Sequence, residues 1–357
     1  MNSGRTQVDA GRRVERSRET AEAAREGAPA PLPTIHLVTL FKVKGGSQER
    51  TLQLAATLRG SATVHVWSST RVADCYRDAG VRRIVPALGR FPRGGTIVFV
   101  GTSPIGVWVR ASFPRRVILI HNTLNVATLQ KRLRRLHGWP LPATELVFCS
   151  RKVARSTRMT GVVHLSPIDL ERFRPATRPA GAQFTVGRLS RDSAIKFGPG
   201  DAALFRALGA EGIRVRLMGA TCLARSLAGA PNVELLAVGA EDPADFLRSL
   251  DCFVYRTADE WPEPYGRVVA EAMASGLPVV CHRAGGYAEE LVEDGRSGFV
   301  FDDDAQAAER IRLLRDDPAL RARVGAEARS RIERLYGPEE LERVRAFYAG
   351  PAPARRE

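Results

Sequence analysis

The stretch EPYGRVVAEAMASGLPVVCH, residues 263–282, contains a loop, a helix and a buried strand in succession. Pro264 and Gly266 are typical of a helix start, VVAEAMA predicts the body of the helix, and Gly276 predicts its end. The apolar run PVVCH (278–282) then predicts a strand that is buried on both faces. A loop, a helix and a strand in this order form the repeating unit of a parallel sheet covered by helices.

The same alternation runs through the rest of the chain, with amphipathic stretches such as SQERTLQLAATLR (47–59) between short apolar runs. In the first half the predicted strands are IHLVTL (35–40), TVHVWSS (63–69), TIVFVG (96–101), RVILIHN (116–122) and ELVFCS (145–150). In the second half they are FTVGRL (184–189), VRLMGA (215–220), NVELLA (232–237), CFVYR (252–256) and the run at 278–282. We therefore expect an α/β protein with two doubly wound parallel-sheet (Rossmann-like) domains.

Changes in composition predict the domain boundaries. Residues 1–33 lack the apolar core of a secretory signal, and we expect them to be a disordered lead-in. The N-terminal domain is predicted at 34–165, a Pro- and Arg-rich linker at 166–182, and the C-terminal domain at 183–335. Residues 336–357 are expected to form a helix that crosses back to the N-terminal domain, followed by a tail.

Composition also excludes several classes of protein. Hydrophobic residues make up 44% and charged residues 26% of the 357 residues, as in ordinary globular proteins. No apolar run approaches the roughly 20 residues of a membrane-spanning helix. The five cysteines are scattered without a CxxC pair, which predicts reduced thiols in a cytosolic chain and argues against a zinc site.

Charge is unevenly distributed within the total of +15. Residues 31–180 carry 24 Lys and Arg against 6 Asp and Glu, whereas residues 181–357 carry 24 against 28. This asymmetry suggests an anionic partner for the first half, such as a membrane surface, an acidic glycan or nucleic acid. A GC-rich coding sequence would also inflate arginine, but it would not remove acidic residues. Because no nucleic-acid-binding motif accompanies the charge, we expect no nucleic-acid partner.

Ligands of doubly wound sheets bind at the carboxyl ends of the strands. After the first strand, Gly45 and Gly46 precede Ser47, a residue suited to cap a helix. Paired glycines let backbone amides approach a diphosphate closely, so Gly46 is predicted to bind a diphosphate. The alternative is a simple tight turn. The sequence does not match GxGxxG, and we do not expect a dinucleotide-binding fold.

Two glutamates flank the helix start in the opening stretch. Glu263 lies in the loop before the helix, and Glu271 projects from its second turn. Carboxylates are good acceptors for sugar hydroxyls, and the amides of Gly266, Arg267 and Val268 at the helix start could hold a diphosphate between them. If the ligand is a nucleotide sugar, one glutamate would bind a hexose hydroxyl and the other a ribose diol.

The longer passage from Glu263 to Phe301 resembles the signature of the retaining glycosyltransferases of family 4, which have the GT-B fold. The matching motifs are Glu-x7-Glu, the glycine-rich loop and acidic residues of GGYAEE, and the turn GRSG. The resemblance is strong over 184–305 and moderate over 34–60 and 116–175. It implies that Glu263 lies by the donor sugar and that Glu271 binds the donor ribose.

The same resemblance assigns three more residues. In VGRLSRDSAIKFGP it implies that Arg188 and Lys196 neutralise the donor diphosphate, whose negative charge grows as it leaves. Lys196 stands later after the arginine than is common in the family. The resemblance also places His121 near the donor sugar, although a strand-end histidine is often only structural. The predicted catalytic residues are therefore Glu263, His121 and Arg188. The asparagine-glycine turn that the family has before an aspartate near the interdomain linker is replaced here by SPID at 166–169.

The stretch VATLQKRLRRLHGWPLP (126–142) places leucines at helical spacing among basic residues. We predict that it forms a helix that contacts an anionic membrane or the acceptor. The alternative is a half-buried helix with a solvated basic face. The residues assigned to this contact are Lys131, Arg132, Arg134, Arg135 and Trp139.

We therefore expect a retaining glycosyltransferase that moves a sugar from a nucleotide-diphosphate sugar to a glycan or a lipid-linked glycan. The expected setting is bacterial cell-envelope polysaccharide or lipopolysaccharide biosynthesis, in the cytoplasm or peripherally on the inner face of the membrane. The donor would bind mainly to the C-terminal domain and the acceptor to the basic N-terminal domain.

The resemblance implies front-side displacement, in which the leaving phosphate helps to deprotonate the acceptor. We expect no cofactor and no metal, because DDD at 302–304 has the position of a surface loop. The alternative function is a non-catalytic GT-B-like scaffold or regulator that binds a nucleotide sugar or a glycan.

Overall fold

The computed structural model describes residues 31–43, 45–176 and 182–351. Most of the predicted lead-in, part of the predicted linker and the last residues of the predicted tail lie outside these ranges. The described residues form two parallel sheets with helices on their faces. The predicted α/β class with two doubly wound sheets is confirmed.

The first sheet has seven strands in the order β3-β2-β1-β4-β5-β6-β7. Its strands are β1 (Thr34–Thr39), β2 (Thr63–Ser68), β3 (Arg82–Arg83), β4 (Thr96–Val100), β5 (Arg116–His121), β6 (Thr144–Phe148) and β7 (Val162–Val163). Its helices are α1 (Gly46–Thr57), α2 (Val126–His137) and α3 (Arg151–Thr157). Every residue of β4 and β5 is buried, because both faces of the sheet centre are covered.

The second sheet has six strands in the order β10-β9-β8-β11-β12-β13. Its strands are β8 (Thr185–Leu189), β9 (Arg214–Met218), β10 (Val233–Leu236), β11 (Cys252–Tyr255), β12 (Val279–His282) and β13 (Phe299–Phe301). The helices that follow in this half are α4 (Asp201–Ala210), α5 (Pro243–Arg248), α6 (Arg267–Ala274), α7 (Gly286–Glu290), α8 (Asp304–Asp316), α9 (Pro318–Leu335) and α10 (Pro338–Ala349).

The ten strands predicted from apolar runs are all present, with ends that differ by one or two residues. Three strands were not predicted: β3, β7 and β13. They are two or three residues long, and a run of that length has no periodicity to distinguish it from a loop.

Helix α10 packs against the first sheet, although it follows α9 of the second half in sequence. Val344 and Tyr348 are buried in the same apolar cluster as Ile35 of β1. The Arg345 Nε donates to the carbonyl of Thr57 at 2.9 Å. Helix α10 therefore attaches residues 338–349 to the first domain.

Arginines of the second half also hold the described part of the segment between the sheets. Arg329 Nη1 donates to the carbonyls of Leu170 and Phe173 at 3.2 and 2.7 Å. Arg267 Nη1 donates to the carbonyl of Pro167 at 2.6 Å. These bonds fix the segment to α6 and α9. Within the described ranges, no helix combines the length and the apolar character needed to cross a bilayer.

Candidate functional site

A cavity of about 370 Å³ lies between the carboxyl ends of the two sheets. The first domain contributes Gly45 and Gly46 after β1, with Asn122 after β5. The second domain contributes residues from the loops after β8 and β11 and from the start of α6: Arg191, Lys196, Trp261, Glu263, Gly266 and Arg267. We call this cavity the interdomain cleft. It occupies the position at which doubly wound sheets bind ligands.

The glycine loop of the first domain opens directly onto the cleft. Helix α1 begins at Gly46, with Gly45 in extended conformation as its N-cap, so the prediction that Ser47 caps this helix is wrong. No atom of the described residues lies within 4 Å of the point that a Gly46 Cβ would occupy. The Ser47 hydroxyl instead accepts a hydrogen bond from Asn122 Nδ2 at 2.7 Å. This bond fixes the helix start, with its unpaired amides, at the wall of the cleft.

Lys196 and Glu263, both predicted donor-binding residues, meet in the cleft. The Lys196 Nζ forms an ion pair with Glu263 Oε2, and the Tyr255 hydroxyl donates to the same oxygen at 3.2 Å. Burial and the neighbouring Glu263 hold the pKa of Tyr255 well above its usual value, so its hydroxyl remains a donor. With Oε2 held in this way, the other carboxylate oxygen of Glu263 is the one available to accept from a ligand hydroxyl.

The start of α6 requires glycine at two positions. Gly266 has a φ of 80°, and a Cβ there would overlap the ring of Tyr287. Gly286 donates its amide to the Glu263 carbonyl at 2.8 Å, and a Cβ there would overlap the carbonyl of Pro264. The glycine-rich loop of the sequence motif therefore supports the loop that carries Glu263.

The three predicted amides at this helix start are not equivalent. Gly266 and Arg267 line the cleft, whereas Val268 does not and instead packs, half-buried, against the apolar core. The amides of the first helical turn have no partners within the helix. A diphosphate at this end of the cleft would therefore find donors at Gly266 and Arg267 and a favourable helix dipole.

Glu271 is buried beneath Arg267 and does not line the cleft. The Arg267 Nε lies 2.7 Å from Glu271 Oε1, and Arg267 Nη1 also donates to the Ser166 hydroxyl at 3.1 Å. Burial raises the pKa of Glu271, and the adjacent Arg267 opposes this shift. A ribose diol at Glu271 would therefore share the carboxylate with Arg267.

The structure does not bring Arg188 to the cleft, in contrast to its predicted contact with the donor diphosphate. Arg188 is only 1% exposed and forms an ion pair with Asp201 at 3.0 Å. Its guanidinium lies between the rings of Phe197 and Tyr255, 4.2 and 4.9 Å from their centroids. It also donates to the carbonyl of Lys196. Arg188 therefore positions the segment that carries Lys196.

His121 lies at the end of β5 but is 1% exposed and does not line the cleft. Burial, assisted by the positive charge of Arg132, lowers the pKa of His121 to about 4, so the imidazole is neutral at pH 7. Among the described residues its Nε2 has no hydrogen-bond partner. The next residues, Asn122 and Thr123, line the cleft instead. The predicted contact between His121 and a donor sugar is thus not present in this arrangement.

The basic helix α2 is present, capped by Asn125, whose Oδ1 accepts from the Thr128 amide at 3.0 Å. The assignment of Arg132 to its surface contact is wrong: Arg132 is 8% exposed and donates to the carbonyl of Gly101. Burial lowers the pKa of Arg132 to about 10. Of the other residues assigned to this contact, Lys131, Arg134 and Arg135 are exposed and Trp139 is half-buried.

Two of the exposed cleft-lining residues that sequence reasoning missed are Arg191 and Trp261. Both follow the carboxyl end of a strand of the second sheet, and Trp261 stands two residues before Glu263. Their positions in loops after parallel strands could have identified them as cleft residues, because such loops form the ligand sites of doubly wound sheets.

The two acidic residues of GGYAEE contact the first domain rather than the cleft. Glu289 forms a bidentate ion pair with Arg155 of α3, at 2.6 and 2.5 Å. The Glu290 carboxylate accepts from the backbone amide of Arg151. Nearby, the Ser150 hydroxyl donates to the Pro264 carbonyl at 2.7 Å. These bonds fix the position of α6 and its loop relative to the first sheet.

The three aspartates at 302–304 have individual partners. Asp302 pairs with Arg283 at 2.7 Å, Asp303 caps α8 by accepting from the Gln306 amide at 2.9 Å, and Asp304 pairs with Arg256. In the ranges that the structure describes, no group of three or more His, Cys, Asp or Glu side chains is arranged to hold a metal ion.

Comparison with known proteins finds relatives for part of this chain. Residues 217–331 match the family described as glycosyl transferases group 1. A D-inositol 3-phosphate glycosyltransferase of Arthrobacter is 32% identical over 185 residues, which cover 45% of this chain and 43% of that protein. The capsular polysaccharide biosynthesis glycosyltransferase CapM of Staphylococcus aureus is 34% identical over 118 residues, 31% of this chain and 30% of that protein. The chain thus spans less than half the length of these curated relatives.

Among solved structures, the HepE protein of Anabaena, crystallised in complex with UDP-glucose, is similar over both domains. The TM-score is 0.69 at 18% identity, and the similarity covers 89% of this chain and 98% of HepE. Together with the two parallel sheets described above, this likeness shows that the chain has the predicted GT-B fold.

Proposed function

We propose that this chain, whose residues 217–331 match the family described as glycosyl transferases group 1, transfers a sugar from a nucleotide-diphosphate sugar to a glycan or a lipid-linked glycan. One observation carries the proposal. In the interdomain cleft, the Lys196 ammonium and the Glu263 carboxylate lie beside the amino-terminal ends of α1 and α6. A cation and two helix starts suit a diphosphate, and a carboxylate suits a sugar hydroxyl.

The roles of the cleft residues follow from their chemistry. The diphosphate would bind between Lys196, the amides of Gly266 and Arg267, and the helix start at Gly46. The sugar would then lie beside Glu263. As the bond between sugar and diphosphate breaks, negative charge accumulates on the diphosphate, and donors already fixed around it stabilise that charge. Arg188 supports this arrangement by holding the carbonyl of Lys196.

We propose a reaction that retains the anomeric configuration. The acceptor would approach from the side of the first domain, on the same face of the sugar as the leaving phosphate. The leaving phosphate would take the acceptor proton, so no protein base and no metal or other cofactor is required. The support is the resemblance of residues 263–301 to retaining enzymes.

The proposed acceptor is a cell-envelope polysaccharide or lipopolysaccharide precursor, and the proposed location is the cytoplasm or the inner face of the membrane. The similarity to CapM, whose name states capsular polysaccharide biosynthesis, supports this class of acceptor. The +18 balance of residues 31–180 is consistent with an anionic glycan or an anionic lipid surface beside the acceptor domain.

A panel of UDP- and GDP-sugars, including UDP-glucose, tests the proposal by binding calorimetry and by release of nucleoside diphosphate. We expect one donor to bind and to be hydrolysed slowly without an acceptor, with the released sugar first detected by NMR as the donor's anomer. Glu263→Gln should lower release by about 100-fold, whereas Glu260→Gln, an exposed neighbour three residues earlier, should not change it.

Three results would contradict parts of this proposal. Binding without hydrolysis, and without transfer to any glycan extract, would indicate a nucleotide-sugar-binding scaffold. Release of the opposite anomer would overturn retention. Loss of activity in EDTA, restored by a divalent cation, would overturn metal independence.

A further inference from the structure

A second cavity, of about 810 Å³, lies on the first domain and shares no lining residue with the interdomain cleft. Its residues come from β1, β2 and β3 and from the connection between β3 and β4. We call it the arginine groove. The main lining residues are His36, His65, Trp67, Arg82, Phe91 and Arg93.

The groove lies towards the amino ends of the strands, away from the cleft. Phe91 and Arg93 directly precede β4, and the carbonyl of Arg93 lies 3.1 Å from His36 Nε2, near the beginning of β1. The connection from β2 through β3 to β4, all of whose residues the structure describes, contains short helical turns and no α-helix. The segment 85–93 forms one wall, and the sheet forms the floor.

The floor is aromatic and uncharged. His36 and His65 are register partners on β1 and β2, and their rings stack at 5.3 Å. The Trp67 indole donates to His36 Nδ1 at 3.1 Å, so the other nitrogen of His36 carries the proton that it donates to Arg93. His65 and Phe91 are half-exposed and supply the accessible ring surface.

The rim is cationic and has no neutralising partner. Arg82, Arg83, Arg90 and Arg93 are exposed, and none forms an ion pair with any residue that the structure describes. No Asp or Glu occurs in the sequence between Asp78 and Glu145, although that stretch holds eleven Lys and Arg. The guanidinium of Arg82 lies 5.7 Å from the Trp67 ring centroid, and that of Arg93 lies 4.6 Å from the Phe91 centroid.

The arginines of the second sheet provide a contrast. Arg216, on β9, forms ion pairs with two carboxylates, that of Glu234 at 2.8 Å and that of Glu241. Cations that lie together without such partners repel one another and favour bound anions. The planar guanidinium also binds carboxylate and phosphate groups in a bidentate manner.

We propose that the arginine groove binds an anionic oligosaccharide, with its carboxylate or phosphate groups on the arginines and its sugar rings on the aromatic floor. The volume is within the range of about 300–1,000 Å³ that is typical of small-ligand sites. A flat bilayer would reach the rim but not the recessed floor, so we favour a soluble glycan chain over a lipid surface. This site goes beyond the proposed function, because it would hold a charged glycan away from the reacting bond.

Binding of two labelled glycans to the full chain tests the proposal: tetragalacturonate and a phosphorylated mannose oligosaccharide. We expect at least one to bind, and methyl-esterified tetragalacturonate, which has no charge, to bind at least about tenfold more weakly. The double variant Arg82→Gln with Arg90→Gln should weaken binding by about tenfold to a hundredfold, the scale of lost charge-assisted hydrogen bonds. The control, Arg59→Gln with Arg71→Gln, removes two exposed arginines of the same domain outside the groove lining.

The floor is tested separately by His65→Ala, with circular dichroism to show that the variant is folded. Reduced glycan binding in this variant would support stacking on the floor. The proposal is overturned if neither glycan binds, if the ester binds as tightly as the acid, or if both arginine pairs have equal effects. It is also overturned if only phosphatidylglycerol vesicles bind and the glycans do not compete. Nucleotide-sugar hydrolysis should be unchanged in the Arg82/Arg90 variant. Failure of the glycan-binding proposal is therefore distinguishable from failure of the proposed function.

Discussion

The Lys196 ammonium forms an ion pair with the Glu263 carboxylate in the interdomain cleft, and the two residues are 67 positions apart in sequence. A donor diphosphate would compete with Glu263 for this lysine. The two members of the pair should therefore have opposite effects on donor affinity. The lysine attracts the diphosphate, and the carboxylate repels the diphosphate while binding the sugar.

The first prediction separates these two effects. Lys196→Gln should weaken donor binding by about 1.5–3 kcal/mol, the scale of a charge-assisted hydrogen bond. Glu263→Gln should leave donor affinity unchanged or tighter, because a negative charge is removed beside the diphosphate, yet lower turnover by about 100-fold. Calorimetry and turnover at saturating donor measure both quantities. Equal loss of donor affinity in the two variants would contradict the assignment.

The second prediction concerns Glu271 and its partner Arg267, whose atoms lie 2.7 Å apart. Glu271→Gln should weaken nucleoside-diphosphate binding by about 1.5–3 kcal/mol, because a ribose diol loses a charged acceptor. Arg329 and Glu333 of α9 form an ion pair with the same spacing at 2.6 Å but do not line the cleft, so Glu333→Gln is the matched control. Unchanged affinity in folded Glu271→Gln would remove the ribose role.

The third prediction distinguishes a positioning arginine from a ligand-binding one. Arg188→Gln should lower the free energy of unfolding by about 3 kcal/mol, because it breaks a buried ion pair and leaves Asp201 with Arg256 as its remaining ion-pair partner. It should also lower turnover, since the Lys196 carbonyl loses its donor. Arg191→Gln, in the exposed cleft lining, should weaken donor binding without changing stability. Urea denaturation measures the stability, calorimetry measures donor binding, and release of nucleoside diphosphate measures turnover. Wild-type stability in Arg188→Gln would show that the buried ion pair contributes little.

The contrast between Arg188 and Lys196 shows what the sequence could and could not predict. Alternating apolar runs predicted the sheets, and the motif around Glu263 located the loop at the cleft. Whether a side chain at a strand end faces the cleft or the interior depends on partners distant in sequence. Asp201 and Tyr255 hold Arg188 inside, and His121 is buried near the positive charge of Arg132. No local pattern contains that information.

Arg132 is a different case, because the signal was present in the sequence. It stands three residues after Leu129 and four before Leu136, which places it on the same helix face as these buried leucines. Its flexible chain reaches the Gly101 carbonyl from that face. The arginine groove could not be predicted, because it depends on the two-residue strand β3 and on the path of the connection to β4.

The fourth prediction is a loss of stability in weak acid. Burial lowers the pKa of His36 and of His121 to about 4, below the value of about 6.5 expected in the unfolded chain. Each histidine therefore takes up a proton on unfolding when the pH is between these values. The free energy of unfolding should be insensitive to these groups above about pH 6.5 and fall below it, by up to about 1.4 kcal/mol per pH unit for each histidine.

Urea denaturation at several pH values between 4.5 and 7.5 measures this slope. His121→Asn should reduce it, because one proton fewer is taken up on unfolding. His137→Gln, which removes an exposed histidine of α2, is the control for the loss of an imidazole. A wild-type protein whose stability does not change between pH 6.5 and 4.5 would contradict the prediction.

The last prediction concerns the exposed cations of α2 and an anionic membrane. Leu129 and Leu136 are 0% and 1% exposed, and the half-buried Leu133 packs against the same core, so the helix offers little apolar surface for shallow insertion. Arg132 is buried with them. Attraction would come from Lys131, Arg134 and Arg135, each contributing about 1 kcal/mol near an anionic bilayer and less at high salt. Changing these three to glutamine should abolish co-sedimentation with phosphatidylglycerol vesicles at low salt and leave donor hydrolysis unchanged.

The control removes three exposed cations elsewhere, Arg174, Arg225 and Arg323. If the wild-type chain does not bind such vesicles even at low salt, the basic half must serve a different anion, and the arginine groove identifies a glycan as the first to examine.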